Sequence, residues 1–222
     1  MKILHHVLAA DTPHYREIKS AAKETWNSNN PDNIKTIYMY GDNDSIFYDG
    51  KDSFYVDKKE GLDICLYKTI CAFEYFLKFD FDYIFRSNIT GYFDYQVMND
   101  FIKDKPLDNF YCGIVGSHGS ILFASGSGFF ISRNLVENIV ENKNILYSYT
   151  YKLPEYADDV AIGKYITQDL GISIDISSRR INLTLDQIDD NLDMNQYHYR
   201  ILNKGDSHAI HKIHKLKKCK NQ

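Results

Sequence analysis

No uninterrupted apolar run in the 222 residues approaches the roughly 20 needed to span a bilayer. The N-terminal KILHHVLAA is too short for a signal-peptide core and runs straight into Asp11. A cytoplasmic protein is therefore expected, or a soluble part of an anchored one. Cysteine is scarce and poorly spaced: Cys65, Cys71, Cys112 and Cys219 form no CxxC pair, which argues for reduced thiols and against a disulfide or zinc framework. Basic residues are not in excess, with 26 Lys and Arg against 30 Asp and Glu and a net charge of -4, so no overall positive field invites nucleic acid. What basic charge there is gathers in Lys212 to Lys220 (KIHKLKKCK). That run reads as a solvated tail, with weak contact to an anionic membrane surface or to a nucleotide phosphate as the alternative. Internal repeats and low-complexity tracts are absent, and no glycine-rich phosphate loop follows the first apolar run, which disfavours a nucleotidyltransferase.

The length suits one domain with a sizeable core. Lys2 to Ala10 reads as a buried strand, followed by Thr12 as a helix cap, Pro13 at the first helical position and a helix to about Trp26. Ile34 to Tyr40 is a second strand ending in the polar turn Gly41-Asp42-Asn43-Asp44. From Leu62 to Lys78 apolar residues recur every three or four positions, the clearest helix, which delivers Tyr83 to Phe85 as a central strand. Strands dominate Phe110 to Ser132, then helices are expected from about Asn134 to Glu141 and from about Tyr156 to Leu170, the latter closed by Gly171. Residues 178 to 206 suggest a loop and a short helix. Alternating strands and helices imply a mainly parallel sheet, whose ligands sit beyond the carboxyl ends of its strands. That rule collects Ala10, Asp11, Asp42 and Arg86-Ser87-Asn88 at one edge.

Two stretches carry the chemistry. Phe123 to Ser132 (FASGSGFFIS) is a strand broken by glycines, whose small residues Ser125, Gly126, Ser127 and Gly128 would let a bulky sugar approach the backbone. Leu153 to Gly171 (LPEYADDVAIGKYITQDLG) places Asp158 and Asp159 at the mouth of a helix. Adjacent carboxylates raise one another's proton affinity, which suits one of them to general-base work. The competing reading is that these acids, with Glu155, only complement the helix dipole. Arg86 is unusual inside an apolar strand; a phosphate could be its partner, or an internal carboxylate such as Asp82 or Asp94.

The order of these pieces resembles the Fringe and β-1,3-galactosyl/N-acetylglucosaminyl-transferase group of glycosyltransferases. Its SGxGYxxS element is matched by Ser125, Gly126, Gly128, Phe129 and Ser132, and its acidic-Asp-Val/Cys-x-x-Gly element by Asp158, Asp159, Val160 and Gly163. Upstream, Lys19, Ala21, Ala22, Lys23, Thr25 and Trp26 resemble its basic-x-A-x-basic-x-T-W helix, and Asp63 to Thr69 (DICLYKT) its D-x-x-L-x-K-T element. The resemblance implies an α/β fold of GT-A type, a Rossmann-like, mainly parallel sheet flanked by helices, as one domain over 1–222. About 1–90 would be the nucleotide-binding half, about 91–205 the acceptor-binding and catalytic half, and 206–222 a C-terminal segment. It implies an inverting hexosyltransferase that moves a sugar from a nucleotide donor, with uridine as the expected base, to a carbohydrate hydroxyl. Members of the secretory pathway carry a membrane anchor, so its absence points to a microbial or viral enzyme. Asp159 takes the catalytic position with Asp158 tuning it, and Lys68 takes that of the lysine on the donor diphosphate.

One departure stands out. The family's strand ends in a DxD motif that holds Mn2+ or Mg2+ on the diphosphate; here the slot reads Asn88-Ile89-Thr90. Neutral oxygens bind a hard cation less well than carboxylates. Metal dependence is therefore left open, with Asn88, Thr90 and His211 as weak ligand candidates and Lys68, Arg86 and His211 as cations for the diphosphate. A literal DxD, Asp80-Phe81-Asp82, begins the strand instead and should face away from the ligand. His208, His211 and His214 recur three apart, so His208 and His211 would point to opposite faces of a strand and could share an ion only if the segment is helical or looped. The alternative function is a catalytically inactive relative that binds glycan or nucleotide.

Overall fold

The computed structural model describes residues 1–149 and 158–220. The first strand, β1 (Ile3–Leu8), has all six side chains buried, because both faces of the sheet it centres are covered. Thr12 caps α1 (Pro13–Glu24) by accepting from the N–H of Tyr15 at 3.3 Å. The chain continues through β2 (Ile34–Tyr40), the short β3 (Phe47–Tyr48) and β4 (Ser53–Tyr55) to a 3₁₀ turn (Leu62–Ile64) and α2 (Cys65–Phe76). Then come β5 (Tyr83–Asn88), β6 (Gly91–Phe93), α3 (Tyr95–Ile102), the hairpin of β7 (Tyr111–His118) and β8 (Ile121–Ser132), α4 (Arg133–Glu141) and α5 (Lys143–Tyr149). Beyond the undescribed residues lie α6 (Asp158–Lys164), a π turn (Tyr165–Asp169), β9 (Arg180–Leu183), β10 (His198–Ile201) and α7 (Ser207–Lys220).

The result is an α/β domain around a seven-stranded sheet ordered β3-β4-β2-β1-β5-β8-β7. Strands β4, β2, β1 and β5 run parallel, as the alternation of strands and helices implies, while β3, β8 and β7 join antiparallel. One face packs against α2, α4 and α6; the other packs against α1, α3, α7 and a second, three-stranded sheet, β6-β10-β9. Neighbouring residues of a strand therefore serve different layers: His5 joins the α1 side and His6 the α2 side.

Two expectations are corrected. Residues 178–206 supply strands β9 and β10, with only a single 3₁₀ turn (Leu185–Gln187), because Tyr197 to Ile201 finds partners in remote Gly91–Phe93 and Arg180–Leu183. The C-terminal run is a docked helix rather than a solvated tail: Ala209, Ile210 and Ile213 are buried, and Lys217 pairs with Asp94. Its histidines consequently lie on helix faces instead of alternating along a strand. The helix expected from Tyr156 begins at Asp158 among the described residues; Leu153 to Ala157, Glu155 included, lie outside them. Gly171 follows it at φ +69, the left-handed stop its position suggested. Among the described residues no helix is long and apolar enough to cross a membrane.

Candidate active site

A cleft of about 600 Å³ opens beyond the carboxyl ends of β1 and β5. Its walls are the exit of β1 (Leu8 to Ala10), the segment Glu60 to Lys68, the exit of β5, the glycine strand at Ser125 to Ser127, the two aspartates, and Arg200 to Lys204.

Arg86 projects from β5 toward α2 and α6 and is 3% exposed. Its partner is neither Asp82 nor Asp94 but Asp158, which receives Nη2 at 2.8 and 2.9 Å and Nε at 3.1 Å. The Thr69 hydroxyl donates to the same carboxylate at 2.9 Å. A bidentate fork of this kind satisfies both buried charges together. Arg86 also donates to Asn88 Oδ1 at 2.9 Å. Asp158 is thereby fixed as a structural anion at the start of α6.

Its neighbour is placed differently. Asp159 is half-buried in the cleft wall, with Oδ2 accepting the N–H of Gly126 at 2.7 Å and Oδ1 that of Val160 at 3.0 Å. Burial, and then the negative charge of Asp158, push its carboxyl pKa up; Arg86 and the two amides pull the other way. The carboxylate is aimed by backbone, has raised proton affinity and is not neutralised by an ion pair among the described residues.

Lys68 is not a solvated helix lysine. It is buried, bonds Glu60 at 2.9 and 3.0 Å and donates to the carbonyl of Ala9 at 2.8 Å. Glu60 in turn accepts from the N–H of Gly41 at 2.7 Å. The Lys68–Glu60 and Arg86–Asp158 pairs thus put two neutralised cations on the cleft.

Other expected residues are scattered. Ser125, Gly126 and Ser127 line the cleft, but Gly128 does not: a Cβ there would come within 2.6 Å of the His198 ring on the opposite face of the sheet. Ser87 shares that opposite face, bonded to His5 Nε2 at 2.8 Å, so it cannot reach a donor in the cleft. Ala10 lines the cleft; Asp11 pairs with Arg16, and Asp42 accepts from the N–H of Glu60, both outside the lining. His211 sits on α7 facing Glu24 at 3.5 Å and lines no part of it. Of the upstream motif, Ala21, Ala22 and Trp26 are core, and Lys19 bonds Asp52. Asp80 pairs with Lys2 at the opposite end of the strand, as expected.

Sequence reasoning passed over Glu60, Arg180, Arg200 and Lys204, and gave Thr69 no role beyond its place in the DICLYKT element. Only the period-two pattern of Tyr197 to Ile201 could have flagged Arg200, and it lay in the least readable segment.

No family model and no curated protein matches the sequence. Among solved structures the chain is similar to a glycosyltransferase involved in the glycosylation of the major capsid of PBCV-1. The TM-score is 0.53 at 10% identity, over 98% of this chain and all of that one. The fold is shared with a glycosyltransferase. The glycosyltransferase GlyE of Streptococcus pneumoniae TIGR4 aligns at 0.49 and 14% identity, over 81% of this chain and 46% of that one.

The cleft's residues do not fit a metal of the DxD kind. Among the described residues no three His, Cys, Asp or Glu side chains converge to hold an ion. Asn88 and Thr90, which line the cleft, offer only neutral oxygens, the Asn88 oxygen accepts from Arg86, and Asp94 caps α3 and pairs with Lys217.

Proposed function

We propose that the protein is an inverting glycosyltransferase, carrying a sugar from a nucleotide donor to a carbohydrate hydroxyl, with Asp159 as the general base. The observation that carries this reading is the contrast between adjacent carboxylates: Asp158 locked to Arg86, and Asp159 aimed into the cleft with raised proton affinity. A carboxylate of raised proton affinity in a cleft, beside one held in an ion pair, marks a candidate general base. The shared fold adds support, and so does the cleft's position at the strand ends where α/β sheets take ligands.

In this reading the donor lies along the half of the chain up to about residue 90, with the uridine base suggested by the family resemblance alone. The acceptor comes over Ser125 to Ser127. Asp159 takes the proton from the acceptor hydroxyl as its oxygen bonds to the anomeric carbon. The bond from that carbon to the diphosphate breaks on the opposite face, and the diphosphate leaves with the electron pair, so the configuration inverts. Asp158 and Arg86 are positioning residues that hold the start of α6 and so hold Asp159.

Asp159→Asn keeps the shape and removes the base. Nucleoside diphosphate release, measured over a panel of nucleotide sugars and glycan acceptors, should fall by about 10²- to 10⁴-fold, the usual share of a general base. Turnover above roughly a tenth of wild type would overturn the assignment. Donor binding without turnover by the wild-type protein would favour the inactive, nucleotide-binding alternative.

A further inference from the structure

We propose that Arg200, with Lys204 at the rim, forms a metal-free diphosphate site, taking the place of the divalent ion that a carboxylate pair at residues 88 and 90 would hold; identifying the ligand as the donor's diphosphate rests on the glycosyl-transfer reading. The first support is position. The Ile201 N–H bonds the Thr90 carbonyl at 3.0 Å, and Arg200 stands opposite Gly91 in the β10–β6 ladder. The 200–204 segment is therefore laid against the Asn88-Ile89-Thr90 exit, and both line the same cleft.

The second support is charge. Lys68 and Arg86 are neutralised by Glu60 and Asp158, so neither is free to offset a departing diphosphate. The Arg200 guanidinium is half-buried and, among the described residues, has no hydrogen-bond or ion-pair partner; the Lys204 ammonium is exposed and likewise unpaired, while the Lys204 carbonyl bonds His14 Nε2 at 3.0 Å. A half-buried guanidinium without a counter-ion is costly unless an anion supplies one.

Arg180 adds to the imbalance. It donates to Ser127 in the cleft wall, and burial and the charge of Arg200 push its pKa down to about 10. Two neighbouring guanidiniums, with no carboxylate among the described residues pairing either, make a cationic wall that a diphosphate would relieve. The loop is also held in costly backbone: Asn203 at φ +57 and Lys204 at φ +70 are left-handed without being glycine, a strain that recurs where ligands are gripped. A planar fork matches phosphate oxygens in two parallel bonds, and fixed positive charge on the leaving group is what a metal would otherwise provide.

The test is calorimetric titration of inorganic pyrophosphate into the full chain in excess EDTA, then with added Mn2+. Wild type should bind in EDTA, with affinity changed less than about threefold by Mn2+, since the counter-charge is already in the protein. Arg200→Gln should bind about 10- to 100-fold more weakly, the loss of one charge-assisted fork, and Arg200→Lys should fall between. Lys204→Gln, at an exposed position that cannot upset the core, should lose up to about fivefold. Equal affinity in Arg200→Gln and Lys204→Gln, or binding that appears only with Mn2+, overturns the proposal. Pyrophosphate carries no sugar, so its binding is independent of the Asp159 chemistry. Failure here leaves glycosyl transfer standing, and failure of transfer with this binding intact leaves the anion site standing.

Discussion

The adjacent aspartates should separate stability from activity in opposite directions. Replacing Asp158 by Asn leaves the Arg86 guanidinium, 3% exposed, beside a neutral amide. At most one of the amide's atoms can accept, so the fork and the Thr69 bond cannot all persist. Breaking one partner of a buried pair costs about 3–5 kcal/mol. In a chain of this size each kcal/mol moves Tm by about 2–4 °C, so Asp158→Asn should melt roughly 6–20 °C lower. Asp159→Asn is a different perturbation. It loses one of two backbone hydrogen bonds, about 1 kcal/mol, but removes a charge that burial and Asp158 both disfavour, so the net change should stay within about 1 kcal/mol. The sign follows from linkage: a carboxyl whose folded pKa is raised binds its proton more tightly in the folded state. Its ionisation therefore destabilises the fold above its unfolded pKa, and an uncharged amide escapes that loss. Differential scanning fluorimetry near pH 7, paired with nucleoside diphosphate release well below both melting points, reads both effects. Asp158→Asn should keep the larger share of turnover and Asp159→Asn the higher Tm. Equal melting points, or a larger drop for Asp159→Asn, would refute the claim that Arg86–Asp158 is the structural pair.

The glycines of the β8 strand should also divide. A Cβ on Gly126 would stand 2.9 Å from Arg86 Nη1 and 3.0 Å from Asp159 Oδ2, so Gly126→Ala should displace the base and cut transfer at least about tenfold while Tm falls only a few degrees. Gly128→Ala presses on the buried His198 ring and Phe85 instead, and should cost about 1–3 kcal/mol, read as a Tm loss of roughly 2–12 °C; a larger activity loss in Gly128→Ala than in Gly126→Ala would reverse this assignment. Acid should unfold the protein early. Burial pushes the pKa of His5 down to about 3 and holds those of His6 and His198 well below the usual imidazole value, so below pH about 6.5 the unfolded chain takes protons that the folded one refuses. Stability, complete above that pH, should fall by up to about 4 kcal/mol per pH unit between roughly pH 6 and 4. His6 has no partner for either ring nitrogen among the described residues, and His6→Leu should shallow that acid limb in urea melts at stepped pH; an unchanged limb would show that His6 is not titrating on unfolding.

Local rules went far with this chain. The capped α1, the central β1 and β5, the apolar periodicity of α2 and the stop at Gly171 all rest on interactions within a few residues, which is why composition and spacing reveal them. The glycine strand and the twin aspartates were legible for the same reason, as stretches of unusual local chemistry. Partnership was not legible. Whether Arg86 met phosphate or carboxylate turned on Asp158, 72 residues away, and whether Lys68 was free turned on Glu60 folding back over α2. Strand alternation put Ser87 and Gly128 on the far face, a one-residue matter that only the observed register fixes. Arg200 and Lys204 reached the cleft because β10 pairs with β6 across more than a hundred residues, a contact that leaves no local trace. Periodicity along the chain decides what each segment becomes; which charges neutralise one another, and which are left over for a ligand, is decided only when distant segments are packed at distances where buried charge must find its counterpart.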